Sequence, residues 1–218
     1  MAAVGNLDIS LVEEIKVLFE QNCVELLVGA CQTLKANKPI STDWGEENIS
    51  ANIYTYIKDS QASVDADIHV ESEHPFYNQD ILNNKKKARK APRIDLVFQH
   101  NWSGQRMSYY VEAKNLVEHD FTKSGRIRKV RARNVLKRYI ETGVDHFLSS
   151  HYPKGCLLGY VLNGTIEGVA NALNVLFVKN DRGSECIRSV SGNPPWVCFK
   201  SNHTAHSMEL EHYFFDFN

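Results

Sequence analysis

The chain reads as an α/β protein, because helix-period segments and short strand-like runs follow one another along its 218 residues. Three observations predict this. Apolar residues recur at helical spacing over residues 11–35. Two compact apolar runs, Arg93–Gln99 and Met107–Ala113, flank a turn-like His100–Gly104. Farther on, helix-period segments are interleaved with the buried-strand pattern Leu157–Leu162.

In chain order, Leu11, Val12, Ile15, Leu18, Leu26, Leu27 and Leu34 fit one or two amphipathic helices. Ser10 is the expected N-cap and Glu13 completes a capping box. Gly29 is a candidate break, and Ala36 to Pro39 ends the segment. A second helix is expected over 43–58, capped by Thr42 or Asp43, with Ile49, Ile53 and Ile57 on one face. Asp67–Glu73 reads as a strand, and Asn78 to Pro92 as a polar, lysine-rich loop. A helix is expected from Arg126 to Ser149, and Ile166–Val178 as a helix running into a strand. The tail adds strand-like Trp196–Lys200 and His212–Phe217. No repeat, low-complexity tract or Pro/Gly-rich linker divides the chain.

Composition is that of a globular protein, 43% hydrophobic and 23% charged. No apolar run is long enough for a transmembrane helix, and Met1 to Asp8 lacks the order of a secretory signal. Five cysteines without a close pair are expected as reduced thiols, so a cytoplasmic location without membrane association is expected. Cys186, Cys198, His206 and His212 do not complete a zinc pattern, and no phosphate-binding glycine loop appears.

The net charge of −1 conceals a strong asymmetry. Residues 85–138 hold 16 of the 25 Lys and Arg residues but only four acids, Asp95, Glu112, Glu118 and Asp120. Such a patch suits a polyanion, because phosphate neutralisation releases counterions; the plain alternative is a solvated charged face.

The chemical signal is Arg93-Ile94-Asp95-Leu96-Val97-Phe98, a turn, then Tyr109-Tyr110-Val111-Glu112-Ala113-Lys114. Residues two apart on a strand share a face, so Glu112 and Lys114 project together. If the runs pair as a hairpin, Asp95 meets Glu112 at its open end. Two carboxylates and an ammonium then converge, and carboxylate oxygens are hard ligands suited to Mg²⁺ or Mn²⁺. The alternative is a hairpin with an ordinary surface salt bridge, since Glu-x-Lys is common.

Asp95, sixteen intervening residues and Glu112-Ala113-Lys114 resemble the active-site pattern of the PD-(D/E)XK nuclease superfamily over roughly residues 43–178. Ile94 rather than proline precedes Asp95, with Pro92 nearby. The resemblance implies a restriction-endonuclease-like core, a mixed central sheet flanked by helices. It implies a domain at 41–218 behind a helical extension at 1–40. It also implies Mg²⁺- or Mn²⁺-dependent phosphodiester hydrolysis, with Asp95, Glu112 and the Ala113 carbonyl at the metal and Lys114 beside it. An acid from the first core helix often joins such sites; Glu46 is the preferred candidate and Glu47 the substitute, against the alternative of helix-dipole compensation. Glu71 and Glu73 are further candidates, equally readable as a solvated strand face. Lys123, Arg126, Arg128, Lys129, Arg131, Arg133, Lys137 and Arg138 follow the Glu-x-Lys run. All but Lys137 are expected at the phosphate backbone, with Arg138 the favoured contact. Lys85-Lys86-Lys87-Ala88-Arg89-Lys90 is a candidate clamp or a solubilising loop.

Gly155–Gly164 and the tail around Ser201-Asn-His203 and Leu210–Phe217 are similar to segments of bacterial nuclease-like proteins of phage defence. This likeness points to anti-phage defence as the context, and DNA is the expected polymer. The sequence shows no obvious separate target-recognition domain, so specificity is expected from a homo-oligomer, a modified or unusual nucleic acid, or a partner protein bound through the N-terminal helices. The alternative is a nucleic-acid-binding or sensor subunit that needs a partner for activity. His203 and His212 are candidates to assist chemistry, with packing as the plainer reading.

Overall fold

The computed structural model describes residues 9–75, 93–149, 154–192 and 195–218, with a few single positions between 76 and 92. Most of the lysine-rich loop therefore lies outside the described residues. A seven-stranded mixed sheet organises the chain in the order β1-β2-β3-β6-β9-β8-β7. These strands are β1 (His69–Pro75), β2 (Arg93–Trp102), β3 (Gln105–Val117), β6 (Gly155–Asn163), β7 (Arg188–Ser191), β8 (Trp196–His203) and β9 (Met208–Asp216). β1, β2 and β3 are antiparallel neighbours. β3, β6 and β9 run parallel, and β8 and β7 close the sheet in antiparallel pairing.

Helices cover both faces. On one side lie α1 (Ile9–Asn37), α2 (Glu46–Lys58) and the short α3 (Gln61–Asp65). Cys23, Leu27, Cys31 and Leu34 of α1, at spacings of three and four, join Ile49, Ile53 and Ile57 in one core with Leu96, Val111, Ala113 and Leu158. On the other side lie α4 (Ala132–Arg138), a π-helical segment (Tyr139–Val144), α5 (Asp145–Leu148) and α6 (Ile166–Lys179). Their Tyr139, Val144, Val169, Leu173 and Phe177 pack with Val97, Leu116, Leu157 and Phe214.

The β2–β3 hairpin turns at Ser103-Gly104, with φ of 47° and 80°. Two positive values are what a tight turn matched to strand twist requires, and Gly104 supplies one without strain. The pairing Leu96↔Val111, continued by one residue, sets Asp95 opposite Glu112.

Five sequence expectations are corrected. α1 runs unbroken through Gly29, and Ser10 lies inside the helix, so it is not the cap. α2 starts after Gly45 without a side-chain cap; Asp43 is engaged instead by the Ser124 amide, which donates to Oδ1 at 2.6 Å. The helix expected from Arg126 begins at Ala132. Residues before it form a small hairpin, β4 (Phe121–Thr122) with β5 (Lys129–Val130). Asp120 fixes that boundary, accepting from the Ala132 amide and from Arg131, each at 2.8 Å. Finally, α6 stays helical to Lys179. Val169, Leu173 and Phe177 keep one face on the core, and this outweighs the strand preference of the exposed Val175 and Val178.

Candidate active site and basic groove

Glu112 and Lys114 sit two residues apart on β3 and are only 4% and 6% exposed. The Lys114 ammonium lies 2.5 Å from Glu112 Oε1, 3.3 Å from Glu46 Oε1 and 4.0 Å from Asp95 Oδ2. It also donates to the Ala113 carbonyl at 2.8 Å. Asp95 Oδ2 in turn accepts from the Ala113 amide at 2.7 Å, which ties the ends of β2 and β3 together through a side chain. One ammonium thus gathers Asp95, Glu112, the preferred helix acid Glu46 and the Ala113 carbonyl, but not the other candidates Glu47, Glu71 and Glu73. Glu112 Oε2 is buried with no hydrogen-bond partner.

Three carboxylates around one ammonium leave the site short of positive charge. Burial pushes the Glu112 carboxyl up to about 8; Lys114 opposes the shift, while Asp95 and Glu46 reinforce it. Burial likewise raises Asp95 to about 6, against Lys114 and the Ala113 amide and with help from Glu46 and Glu73. Burial alone would depress the Lys114 ammonium, but Glu112, Glu46 and Asp95 together hold it above its ordinary value.

Glu46, the first residue of α2, also accepts from the Asn115 amide at 3.1 Å, while Glu47 is exposed. Helix start and strand end are thereby joined at the site. Glu71 instead pairs with His74 at 2.5 Å. Glu73 lies 3.8 Å from Arg93 and, at φ 52°, occupies the position opposite Asp95 that the β1–β2 ladder skips, with the register unchanged on either side.

The predicted phosphate contacts separate into two adjoining regions. Lys123 and Arg138 line a cavity of about 400 Å³ with Glu46, Lys114 and Asn115. Lys123 also lines a second cavity, with Arg126, Arg128, Lys129 and Arg131 on the β4–β5 hairpin. Lys123 and Val130 are common to both, so the basic groove adjoins the carboxylate cluster. Asp120 restrains Arg131 at 2.8 Å and Lys129 at 3.6 Å. Arg133 is exposed on α4 and lines neither cavity, and Lys137 pairs with Glu141 at 3.2 Å.

His203 and His212 belong to a separate buried chain. Tyr139 OH lies 2.6 Å from His212 Nδ1, and Ser201 Oγ lies 2.7 Å from both His212 Nε2 and His203 Nε2. His203 Nδ1 reaches Glu185 at 2.6 Å, and Arg182 holds Glu185 at 2.7 Å and Asp145 at 2.9 Å. An ionised Glu185 accepts from His203 Nδ1–H, which orders every proton back to the Tyr139 hydroxyl with both imidazoles neutral. Burial drives His212 down to about 3. Burial also lowers His203, although Glu185 opposes it. None of these bonds reaches Asp95, Glu112 or Lys114.

The sequence reading missed two supports. Asn115 follows the motif and donates through Nδ2 to the Trp44 carbonyl at 3.0 Å. The π-helical segment lies over the lysine: a Cβ on Gly143 would stand 2.8 Å from Leu157 and 3.8 Å from Lys114 Cγ. Neither carries a sequence signal, because π-turns and through-space packing have no residue pattern of their own.

The cysteines among the described residues are free thiols, and those residues include no ready-made cluster of three His, Cys, Asp or Glu ligands. No helix among them is long and apolar enough to cross a membrane. No family model, curated protein or solved structure matches the chain.

Proposed function

We propose that the chain is a divalent-cation-dependent nuclease with a restriction-endonuclease-like core, acting on DNA, with Asp95, Glu112, Lys114 and Glu46 as its catalytic group. The observation that carries this reading is the convergence of three carboxylates and a backbone carbonyl on Lys114, beside a basic groove. The donors are all hard oxygens, and the unpartnered Glu112 Oε2 marks unused ligand capacity, so the residues fit Mg²⁺ or Mn²⁺. Asp95, Glu112 and the Ala113 carbonyl would hold the ion. When bound, it would supply an activated water and charge neutralisation at the phosphodiester.

The chain's own residues divide the remaining work. Arg138 and Lys123 hold the phosphate backbone at the mouth of the site. Lys123, Arg126 and Arg128 extend that hold along the groove. Lys114 donates to the attacking water or to a non-bridging phosphoryl oxygen, and burial makes that donation strong. Gly143 leaves room for its aliphatic stem.

Incubation with plasmid, single-stranded DNA and RNA in Mg²⁺, Mn²⁺ or EDTA tests the proposal. Cleavage should require the cation and disappear in Asp95→Asn and Glu112→Gln while binding persists. Cleavage that survives EDTA, or that persists in both variants, refutes it. The closure of the carboxylates onto Lys114 favours one second reading, a binding or sensor subunit of a bacterial defence complex whose site opens only with a partner. Nucleic-acid binding without cleavage by the isolated chain would select it.

A further inference from the structure

The β4–β5 hairpin ends in Arg126-Ile127-Arg128, and Ile127 is fully exposed, at 102% of its reference area. A bare aliphatic side chain between two exposed guanidiniums serves no packing purpose among the described residues. The hairpin is nevertheless held firmly at its base. Asp120 accepts from Ala132 and Arg131, Asp43 accepts from the Ser124 amide, and Phe121 packs against the core shared by α1 and α2.

We infer that Ile127 is a wedge that enters a base step of double-stranded nucleic acid, with Arg126 and Arg128 fixed on the flanking phosphates. The inference rests on the nucleic-acid reading of the groove, not on cleavage. Charge complementarity selects the partner: the tip continues a groove lined by Lys123, Arg126, Arg128, Lys129 and Arg131, which a protein surface of ordinary charge would not match. Aliphatic wedges flanked by basic residues unstack and kink duplexes because the apolar side chain replaces a base in the stack. Placement also fits. Ile127 is four residues from Lys123, which lines the carboxylate cavity, so about 14 Å at most separates them along the chain. At 3.4 Å per step, the opened step lies within about four base pairs of the phosphate at Lys123. The consequence for substrate choice is a preference for duplex that is already mismatched or flexible, where unstacking costs least.

The test uses short synthetic duplexes carrying 2-aminopurine at successive positions, in EDTA, so that no strand is cut. Wild-type protein should raise 2-aminopurine fluorescence severalfold on binding. Ile127→Ser should lose that rise while affinity falls by roughly threefold to tenfold, and Ile127→Leu should keep it. The full exposure of Ile127 means that neither substitution removes core packing. Duplex binding without a fluorescence rise, or an equal rise with Ile127→Ser, overturns the wedge and leaves the nuclease proposal standing. Failure of the wild-type protein to bind duplex at low salt overturns the wedge together with the duplex reading of the groove on which it rests.

Discussion

Replacing Lys114 by Met removes the ammonium and keeps most of the stem. With all three carboxylates ionised, as above pH 8, and at an effective dielectric of about 20, the distances of 2.5, 3.3 and 4.0 Å correspond to gross attractions of about 7, 5 and 4 kcal/mol to Glu112, Glu46 and Asp95. Glu112 is therefore the partner that loses most. Desolvation of the buried charges offsets the greater part, and deleting one member of a buried pair costs about 3–5 kcal/mol. For a chain of 218 residues this is a fall in Tm of about 10 °C. The loss must depend on pH. Folded Glu112 and Asp95 hold protons up to about 8 and about 6, where the unfolded chain has already released them. Stability of the ion-free protein therefore falls as pH rises from the ordinary carboxylate range through those values. In Lys114→Met the same groups keep their protons still longer, so the penalty should be full at pH 8.5 and shrink severalfold at pH 5.

The assay is thermal unfolding at both values, with and without Mn²⁺. A divalent ion replaces the lost charge, and at a hundred times its dissociation constant contributes about 2.7 kcal/mol. Mn²⁺ should thus restore most of the Tm at pH 8.5, and calorimetry should give tighter Mn²⁺ binding than in the wild type, where the ammonium occupies the same oxygens. An equal Tm loss at both pH values would mean that Lys114 acts through packing against the π-helical segment, and the electrostatic argument would fail.

Arg126→Ala combined with Arg128→Ala should lower the slope of log affinity against log salt by nearly 2, at about 0.9 for each phosphate contact on duplex DNA; an unchanged slope makes the tip a solvated face. Asp120→Asn should weaken binding without removing a cation, because the hairpin loses its anchor at Ala132 and Arg131; amide exchange at Lys129–Ala132 would accelerate if so, and unaltered exchange contradicts the anchoring role. Folded His212 stays neutral to about 3 while an unfolded histidine takes its proton near 6.5, so native stability falls as pH drops through that window by roughly 4–5 kcal/mol. Subtracting the stability profile of His212→Phe from that of wild type should isolate this slope, and parallel profiles would mean that His212 does not titrate late.

The parts of this molecule that were legible in the sequence are those governed by local periodicity. Alternation placed Glu112 and Lys114 on one face of β3, and the apolar pattern set the β2–β3 register that brings Asp95 opposite Glu112. Glu46 was legible for a related reason: at the first turn of α2 it shares the inward face of Ile49 and Ile53, and its carboxylate meets Lys114. The failures share a different cause. A basic run with spaced apolar residues looked helical from Arg126, yet Asp120, eleven residues before Arg131 and twelve before Ala132, takes the donors that start the helix and leaves the preceding residues to pair as a hairpin. Asp43 was misread as a cap because its acceptor serves Ser124, 81 residues away. In both cases a short acidic side chain chose a distant backbone amide over a local one, and pattern analysis cannot see that choice. These misreadings also bear on function. They moved four basic residues, Arg126, Arg128, Lys129 and Arg131, from a helix face to a hairpin and its flank, and a hairpin presents a tip. A straight basic helix would have followed a groove and read only its phosphates. The hairpin adds an aliphatic point between two guanidiniums, so the wedge proposed for Ile127 rests on the element that sequence periodicity described least well.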